Sequence, residues 1–175
     1  LVSYHYIQQK PTDFIRRRLD ENPHVKLMIV SGAHTFHAKE DAFINKPLSF
    51  WANYLARYVR FVRENNEFIF ACVEFDIANI VGFDKVDYFR EKYFEPLKKE
   101  GILVCYVWHE YDGEDHWEEM CKRFDYVGFS LVNSSLSEAQ ITKMVNIARR
   151  EGALIHGFAV TRVNIMSKLP FFTGD

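Results

Sequence analysis

Residues 102–131 read ILVCYVWHEYDGEDHWEEMCKRFDYVGFSL, and they contain a strand, a helix and a second strand in one short stretch. The apolar run Ile102–Trp108 and the run Tyr126–Leu131 flank a segment of helical period, Asp115–Arg123. Nearly continuous apolar runs are typical of parallel strands that are buried on both faces of a sheet. The stretch therefore predicts a βαβ unit with a right-handed crossover.

The same alternation extends outward through the whole chain. The predicted strands are Val2–Ile7, Val25–Val30, Phe68–Phe75, Ile102–Trp108, Tyr126–Leu131, Ala153–Phe158 and Phe171–Thr173. The predicted helices are Pro11–Glu21, Leu48–Asn65, Val86–Glu100, Asp115–Arg123, Glu138–Glu151 and Val163–Lys168. Strands and helices that alternate at a spacing of about 25 residues indicate an α/β fold with a parallel sheet.

Helix boundaries follow from local signals. Ser137 can cap the helix that begins at Glu138, and Gly101 and Gly152 stand where left-handed residues end helices. Within Leu48–Asn65, apolar residues recur at three- and four-residue steps, which predicts one buried stripe. Its members are Trp51, Leu55, Tyr58, Val59 and Val62.

Two parallel architectures fit this pattern, an open doubly wound sheet and a (β/α)8 barrel. A doubly wound nucleotide-binding sheet carries a glycine-rich turn after its first strand, and the sequence has none. We therefore predict a TIM-barrel-like (β/α)8 fold, as a single domain over residues 1–175 with about seven strands. The chain starts at Leu1 and stops just as a strand begins, so we expect a truncated barrel. Either a further segment completes it, or its open edges pair in a homo-oligomer.

Composition excludes several classes of protein. The chain is 48% hydrophobic and 26% charged, which fits a globular domain rather than a disordered one. Its formal net charge of −2 restricts any nucleic-acid contact to a local patch. The sequence has no window that resembles a membrane span, and no charged n-region followed by an apolar h-region opens it. Its three cysteines form no Cys-x-x-Cys pair, so we expect a cytoplasmic protein without a redox or metal motif.

Polar groups follow the predicted strands at their carboxyl ends, which is where (β/α)8 barrels build their active sites. These ends read Ser31-Gly32-Ala33-His34, Glu74-Phe75-Asp76, Trp108-His109-Glu110, Gly128-Phe129-Ser130, His156-Gly157-Phe158 and Gly174-Asp175. We predict that this set forms the functional face.

Individual residues in this set have structural alternatives. Asp76 could cap the turn that follows it, and His109 and His156 could be core histidines bonded to backbone carbonyls. Cys72 and Cys105 are interpreted as small core residues within strands. The spacing of His34 and His37 would suit a metal pair on a helix, but the segment leaves a strand and runs into Ala38-Lys39-Glu40, so we do not expect metal binding there.

The residue types at these ends suit a flat nitrogenous base. Glycine at Gly32 and Gly157 would allow a ligand to approach the backbone closely. Asp76 can accept hydrogen bonds from the amidine-like edge of a base, and Asp175 can attack an anomeric carbon. Ring faces for stacking are offered by His34, Trp108, Phe129 and Phe158.

The order of these motifs carries a family resemblance. The motifs are Leu27-Met28-Ile29-Val30-Ser31-Gly32-Ala33, Val73-Glu74-Phe75-Asp76-Ile77, Val107-Trp108-His109, Tyr126-Val127-Gly128, Ile155-His156-Gly157-Phe158 and Phe171-Phe172-Thr173-Gly174-Asp175. Together they resemble the queuine/archaeosine tRNA-guanine transglycosylase superfamily. The resemblance is greatest to its divergent, often phage-encoded branch, which includes enzymes that insert 7-deazaguanines into DNA. It covers most of the chain from Val25 onward.

The resemblance implies a transferase that exchanges guanine for a 7-deazaguanine in tRNA or DNA, without a cofactor. Asp175 matches the nucleophile and Asp76 the aspartate that reads the base edge. The positions that match base-pocket residues are Ser31, Gly32, His34, Trp108, His109, Gly128, Phe129, His156 and Gly157. The family's structural zinc motif would lie beyond Asp175.

The sequence departs from the family at two positions. The aspartate expected before Ser31 is Val30, which leaves no group there to manage the proton of the leaving base. The Gly-Gly of the base-contacting loop is Gly128-Phe129.

Two other functions therefore stay open. One is a metal-dependent barrel hydrolase with Asp76 as its base and with His34, His109, His156 and Asp175 as ligands. The other is a catalytically impaired barrel that binds a base or nucleic acid.

Overall fold

The computed structural model describes residues 1–8, 12–131, 134–160 and 163–175. They form two compact units, Leu1–Val104 and Cys105–Asp175. The predicted α/β fold is confirmed, because seven strands alternate with helices in the described residues, as in an incomplete (β/α)8 barrel. Within each unit every strand pairs in parallel with the next one along the chain. A single domain over residues 1–175 stays a prediction.

The first unit contains three short parallel strands, β1 (Val2–Ser3), β2 (Leu27–Val30) and β3 (Ile69–Val73). Its helices are α1 (Tyr4–Ile7), α2 (Thr12–Asp20), α3 (Ala33–His37), α4 (Glu40–Phe43), α5 (Leu48–Glu64), α6 (Ala78–Val81), α7 (Phe83–Phe89) and α8 (Glu95–Lys99). A π-helical turn, Arg90–Phe94, joins α7 to α8. Pro11, where the first long helix was predicted to begin, lies outside the described residues.

Helix α5 shows the predicted buried stripe. Trp51, Leu55, Tyr58, Val59 and Val62 are all buried, and Tyr54 joins them. Because the stripe is apolar along four turns, the helix packs one face into the core of the first unit while Arg57 and Arg60 stay exposed.

The predicted strand Val2–Ile7 is wrong beyond Ser3, because Tyr4–Ile7 forms helix α1. The Tyr4 ring packs 5.6 Å from the Tyr54 ring and 5.2 Å from the Tyr58 ring. These aromatic contacts with α5 outweigh the strand propensity of the apolar run. No helix was predicted directly after β2, but Ala33–His37 forms the short helix α3.

The helical stretch around Arg90 begins earlier than predicted. It was expected to start at Val86, but α7 starts at Phe83, directly after Gly82 with φ 87°. The π-helical turn brings Arg90 into the core of the first unit, where the guanidinium meets the carboxylate of Glu74.

The second unit contains β4 (Leu103–Trp108, whose first two residues belong to the first unit), β5 (Tyr126–Ser130), β6 (Leu154–Phe158) and β7 (Thr173–Gly174). Its helices are α9 (Gly113–Arg123), α10 (Glu138–Glu151) and α11 (Val163–Lys168), and a 3-10 turn spans Glu110–Asp112. Ser137 caps α10 as predicted, since its Oγ accepts a hydrogen bond from the Gln140 N–H at 3.3 Å. Gly152 ends that helix in the left-handed conformation, also as predicted.

Cys72 and Cys105 are buried core residues within strands, as predicted. Burial raises the pKa of the Cys72 thiol to about 12, so this cysteine is protonated and unreactive at neutral pH. Among the described residues, the helices are too short or too polar to cross a bilayer.

Candidate functional site

The Ser31-Gly32 turn at the end of β2 is held by hydrogen bonds in the first unit. Ser31 Oγ donates to the backbone carbonyl of Glu74 at 2.7 Å, which ties the end of β2 to the end of β3. The Tyr54 hydroxyl donates to the carbonyl oxygen of Ser31 at 2.6 Å. One turn along α5, the buried Tyr58 hydroxyl lies 2.8 Å from the Val73 carbonyl oxygen. Helix α5 thus fixes both strand ends that carry predicted site residues.

Gly32 is required by the packing of the chain itself. Its φ of 94° lies in the region that favours glycine. A Cβ here would lie 2.6 Å from His5 Cβ and 3.1 Å from the Tyr54 hydroxyl oxygen. The room beside Gly32 is therefore filled by α1 and α5 and gives no support to a ligand approaching from that side.

Two buried polar atoms near this turn were missed in the sequence. Ser3 Oγ and His5 Nδ1 are inaccessible to solvent and have no hydrogen-bond partner among the described residues. A buried polar atom is nearly always paired, so these two atoms are exceptions to the usual pattern. No pattern in the sequence pointed to them, because both residues fell within the predicted strand Val2–Ile7.

His34 and Asp76 occupy different environments in the first unit. The His34 imidazole is exposed on α3, and Asp76 is half-buried after β3. His37 Nε2 donates a hydrogen bond to the Asp76 backbone carbonyl at 2.7 Å, which fixes the backbone of that aspartate. His34 and His37 do share helix α3, which a metal pair at this spacing would need.

In the second unit, strand register divides the predicted residues between two faces of the sheet. Val107 pairs with Gly128, Gly128 with His156, and His156 with Thr173, so these side chains share one face. The other face is shared by Trp108, Phe129, Gly157 and Gly174.

Trp108 and Phe129 belong to the core of the second unit. Both are buried, and each ring contacts Trp117 edge-on, at 5.8 Å from Trp108 and 5.4 Å from Phe129. Trp108 Nε1 donates to the Gly113 carbonyl at 2.9 Å. Gly128 and Phe129 stand inside β5 rather than in a loop. This packing gives no support to base stacking by either ring.

His109 leaves the core where β4 ends. Its half-buried ring stacks on the exposed Tyr111 ring at 5.0 Å, and its backbone N–H donates to Asp112 Oδ2 at 2.8 Å. The alternative of a core histidine therefore does not describe His109.

The glycines within β5 and β6, Gly128 and Gly157, make room for neighbouring side chains. A Cβ on Gly128 would lie 2.6 Å from the Phe158 ring, and one on Gly157 would lie 2.5 Å from Val160 Cγ2. As at Gly32, the space that glycine leaves is occupied by the chain itself.

Asp175 and His156 form the one close acid–base pair among the predicted residues of the second unit. His156 Nε2 lies 3.4 Å from Asp175 Oδ1, and the same oxygen accepts a hydrogen bond from the Ala159 N–H at 3.0 Å. Ala159 has a φ of 49°, a left-handed conformation that costs about 1–2 kcal/mol outside glycine. Such strain is often found at functional sites. The carboxylate is 40% exposed and the imidazole only 2%.

Burial lowers the pKa of His156 to about 4, although the Asp175 carboxylate acts in the opposite direction. The imidazole is therefore neutral at neutral pH. Its Nδ1 shares a hydrogen bond with Thr173 Oγ1 at 2.6 Å and its Nε2 faces Asp175 Oδ1, so the alternative of a histidine bonded to a backbone carbonyl does not describe His156.

We expect His156 to make the protein less stable in acid. The unfolded chain takes up a proton near the ordinary histidine pKa of about 6.5, whereas the folded chain resists it down to about pH 4, so stability falls as the pH drops through this window. Replacing His156 by glutamine should remove up to about 3 kcal/mol of this pH dependence. Urea unfolding of the wild type and the variant at about pH 7 and pH 4.5 measures it.

The matched control is His24→Gln, which removes an exposed imidazole instead of a buried one. If the free energy of unfolding changed with pH equally in the wild type and in His156→Gln, this would contradict a buried neutral imidazole.

Comparison of the chain with models of known families, with curated protein sequences and with solved structures gave no match. Function is therefore inferred from side-chain geometry within each unit and from the order of the sequence motifs.

Proposed function

We propose that this chain is a base-exchange glycosyltransferase that replaces guanine by a 7-deazaguanine in tRNA or DNA. The observation that carries the proposal is the placement of Asp175 directly after β7. Its Oδ1 is held by the Ala159 N–H and faces His156, while the side chain stays 40% exposed. A carboxylate that is oriented at one oxygen and open to solvent is suited to attack a sugar carbon.

The reaction would consist of two displacements at C1′ of the target nucleotide. Asp175 first forms a C–O bond to C1′ while the bond to guanine N9 breaks, and the guanine leaves with the bonding electrons and takes up a proton. The incoming deazaguanine then loses its N9 proton, attacks C1′ and releases the carboxylate. Two inversions give net retention, as in retaining glycosidases.

The first unit supports base recognition. Ser31 and Asp76 follow β2 and β3, and hydrogen bonds from Tyr54, Ser31 and His37 fix the backbone at both strand ends. A carboxylate such as that of Asp76 accepts hydrogen bonds from the N–H groups of a guanine-like edge. We propose that Asp76 binds the guanine-like edge of the base.

A non-catalytic base-binding function has one observation in its favour, which is Val30. This residue ends β2 and its side chain is half-buried and apolar, at the position where the resemblance leads one to expect a proton-transferring carboxylate. In that case the protein would bind a base without forming a glycosyl intermediate.

Covalent trapping distinguishes these functions. We expect full-length protein, mixed with guanine-containing tRNA or duplex DNA and a 7-deazaguanine, to give a protein–nucleic acid adduct on a denaturing gel. Asp175→Asn should abolish the adduct, because the amide is a poor nucleophile. The matched control is Asp125→Asn, an exposed aspartate just before β5 at the opposite end of the strands.

Three outcomes would overturn the proposal. An adduct that survives in Asp175→Asn would place the nucleophile elsewhere. Base binding with no adduct in the wild type would indicate the binding function. Stoichiometric divalent metal together with hydrolysis would indicate the metal-dependent hydrolase. The tRNA and DNA reactions, run in parallel, identify the polymer.

A further inference from the structure

A chain of three side chains lies behind Asp175. The Tyr126 hydroxyl lies 2.5 Å from Thr173 Oγ1, and the same oxygen lies 2.6 Å from His156 Nδ1. The other imidazole nitrogen, Nε2, faces Asp175 Oδ1 at 3.4 Å. Strands β5, β6 and β7 each contribute one member, so the chain of contacts is fixed by the sheet.

The number of protons shared by Tyr126, Thr173 and His156 limits which of these groups donates each hydrogen bond. A threonine hydroxyl donates one hydrogen bond, and a neutral imidazole carries one N–H. If Nδ1 carried the proton, the unprotonated Nε2 would direct a lone pair at the Asp175 carboxylate, which is also an acceptor. If Nε2 carries the proton, it donates toward Asp175, and Nδ1 accepts from Thr173, which in turn accepts from Tyr126.

Two further facts favour the second arrangement. Burial raises the pKa of Tyr126, so its hydroxyl keeps the proton that it must donate. His156 Nε2 is buried and makes no hydrogen bond among the described residues, and Asp175 Oδ1, 3.4 Å away, is the acceptor that it faces.

We infer that Tyr126 and Thr173 fix His156 as the Nε2–H tautomer, and that the imidazole then positions the Asp175 carboxylate for attack. This role rests on the proposed function. His156 is here a positioning residue, and it takes up no proton from the substrate. The distance of 3.4 Å is long for a hydrogen bond, and such contacts often shorten only when the substrate binds.

A neutral donor suits a nucleophile better than a cation would. An imidazolium would form a full ion pair with Asp175 and reduce the nucleophilicity of the carboxylate. A neutral N–H orients Oδ1 together with the Ala159 N–H and leaves the negative charge in place. Tyr126, Thr173 and His156, here called the relay, therefore keep the imidazole next to Asp175 neutral and protonated at Nε2.

The tautomer can be measured without any substrate. In 15N-labelled protein, long-range 1H–15N correlation spectra distinguish a protonated ring nitrogen from an unprotonated one, and His156→Gln assigns the signals. We expect protonated Nε2 and unprotonated Nδ1 in the wild type. Thr173→Val should shift the Nδ1 signal or mix the tautomers, because Nδ1 loses its donor. A wild-type imidazole protonated at Nδ1 would overturn the inference.

The kinetic test uses the same variants. Thr173→Val should slow adduct formation on Asp175 by about tenfold, which corresponds to about 1.4 kcal/mol, with base affinity changed less than about twofold. Thr173→Ser keeps the hydroxyl and should restore the rate. Thr142→Val, on the exposed side of α10, is the control and should alter neither the rate nor the His156 signals.

Failure of the relay and failure of the proposed function give different results. An unchanged rate in Thr173→Val, with adduct formed, would overturn the relay while the glycosyltransferase stands. If the wild type forms no adduct, the proposed glycosyltransferase function is wrong, and the positioning role of His156 is wrong with it. The tautomer measurement then still decides whether the relay exists.

Discussion

Replacing Arg90 by methionine is expected to lower the free energy of unfolding by about 3–5 kcal/mol, because it leaves a buried carboxylate without its partner. Arg90 donates from Nε and Nη2 to the two carboxylate oxygens of Glu74, at 2.6 and 2.8 Å. The two side chains are 6% and 1% exposed. Burial alone would lower the pKa of Arg90, but the charges and hydrogen bonds of Glu74 and Asp87 outweigh it and raise the pKa.

An exposed pair with the same geometry serves as the control. Arg63 also donates from Nε and Nη2 to a carboxylate, that of Glu100, with both distances 2.7 Å, but these side chains are 42% and 44% exposed. Arg63→Met should cost less than about 1 kcal/mol in urea unfolding. Similar losses for the two variants would show that burial does not determine the effect.

A double variant separates charge from packing. Arg90→Met combined with Glu74→Met leaves no buried charge, so it should be more stable than Arg90→Met alone. If the double variant is no more stable than Arg90→Met alone, the loss in Arg90→Met comes from packing alone. The backbone carbonyl of Glu74 accepts from Ser31, so this pair also supports the end of β3 next to Asp76.

The parts of the fold that the sequence predicted are those that depend on short-range patterns. The stripe on α5 follows from residues three and four positions apart, and the cap at Ser137 lies beside the residues it bonds. The strands appear as apolar runs because both of their faces are covered. The helix Tyr4–Ile7 could not be predicted in this way, since it depends on Tyr4 meeting Tyr54 and Tyr58, about fifty residues away along the chain.

The candidate site was predictable in position but not in side-chain direction. Polar residues at strand ends pointed to His156 and Asp175, which the structure brings within 3.4 Å. Whether Trp108 and Phe129 face a ligand or the core depends on strand register, because a shift of one residue reverses the face. The contact between Tyr126 and Thr173 joins residues 47 positions apart, so no local pattern could indicate it.

The second large effect is expected at Gly32, where alanine should lower the free energy of unfolding by about 2–4 kcal/mol. Two costs add at this position. The φ of 94° is unfavourable for any residue with a Cβ, and that Cβ would lie 2.6 Å from His5 Cβ, an atom that cannot move without shifting α1. Relief of the overlap would displace the Ser31-Gly32 turn, so under the proposed function base binding should weaken as well.

The variant Gly152→Ala measures the cost of the left-handed backbone conformation without the steric overlap. Gly152 has the same left-handed conformation, with φ 79° and ψ 12° against 94° and 12° at Gly32, but a Cβ there would meet nothing within 4 Å. Gly152→Ala should therefore cost only about 1–2 kcal/mol in urea unfolding. The difference between the two variants measures how tightly α1 packs on the turn. Equal losses would mean that α1 yields to the added methyl group, and the turn would then owe its conformation to the hydrogen bonds of Ser31 and Tyr54.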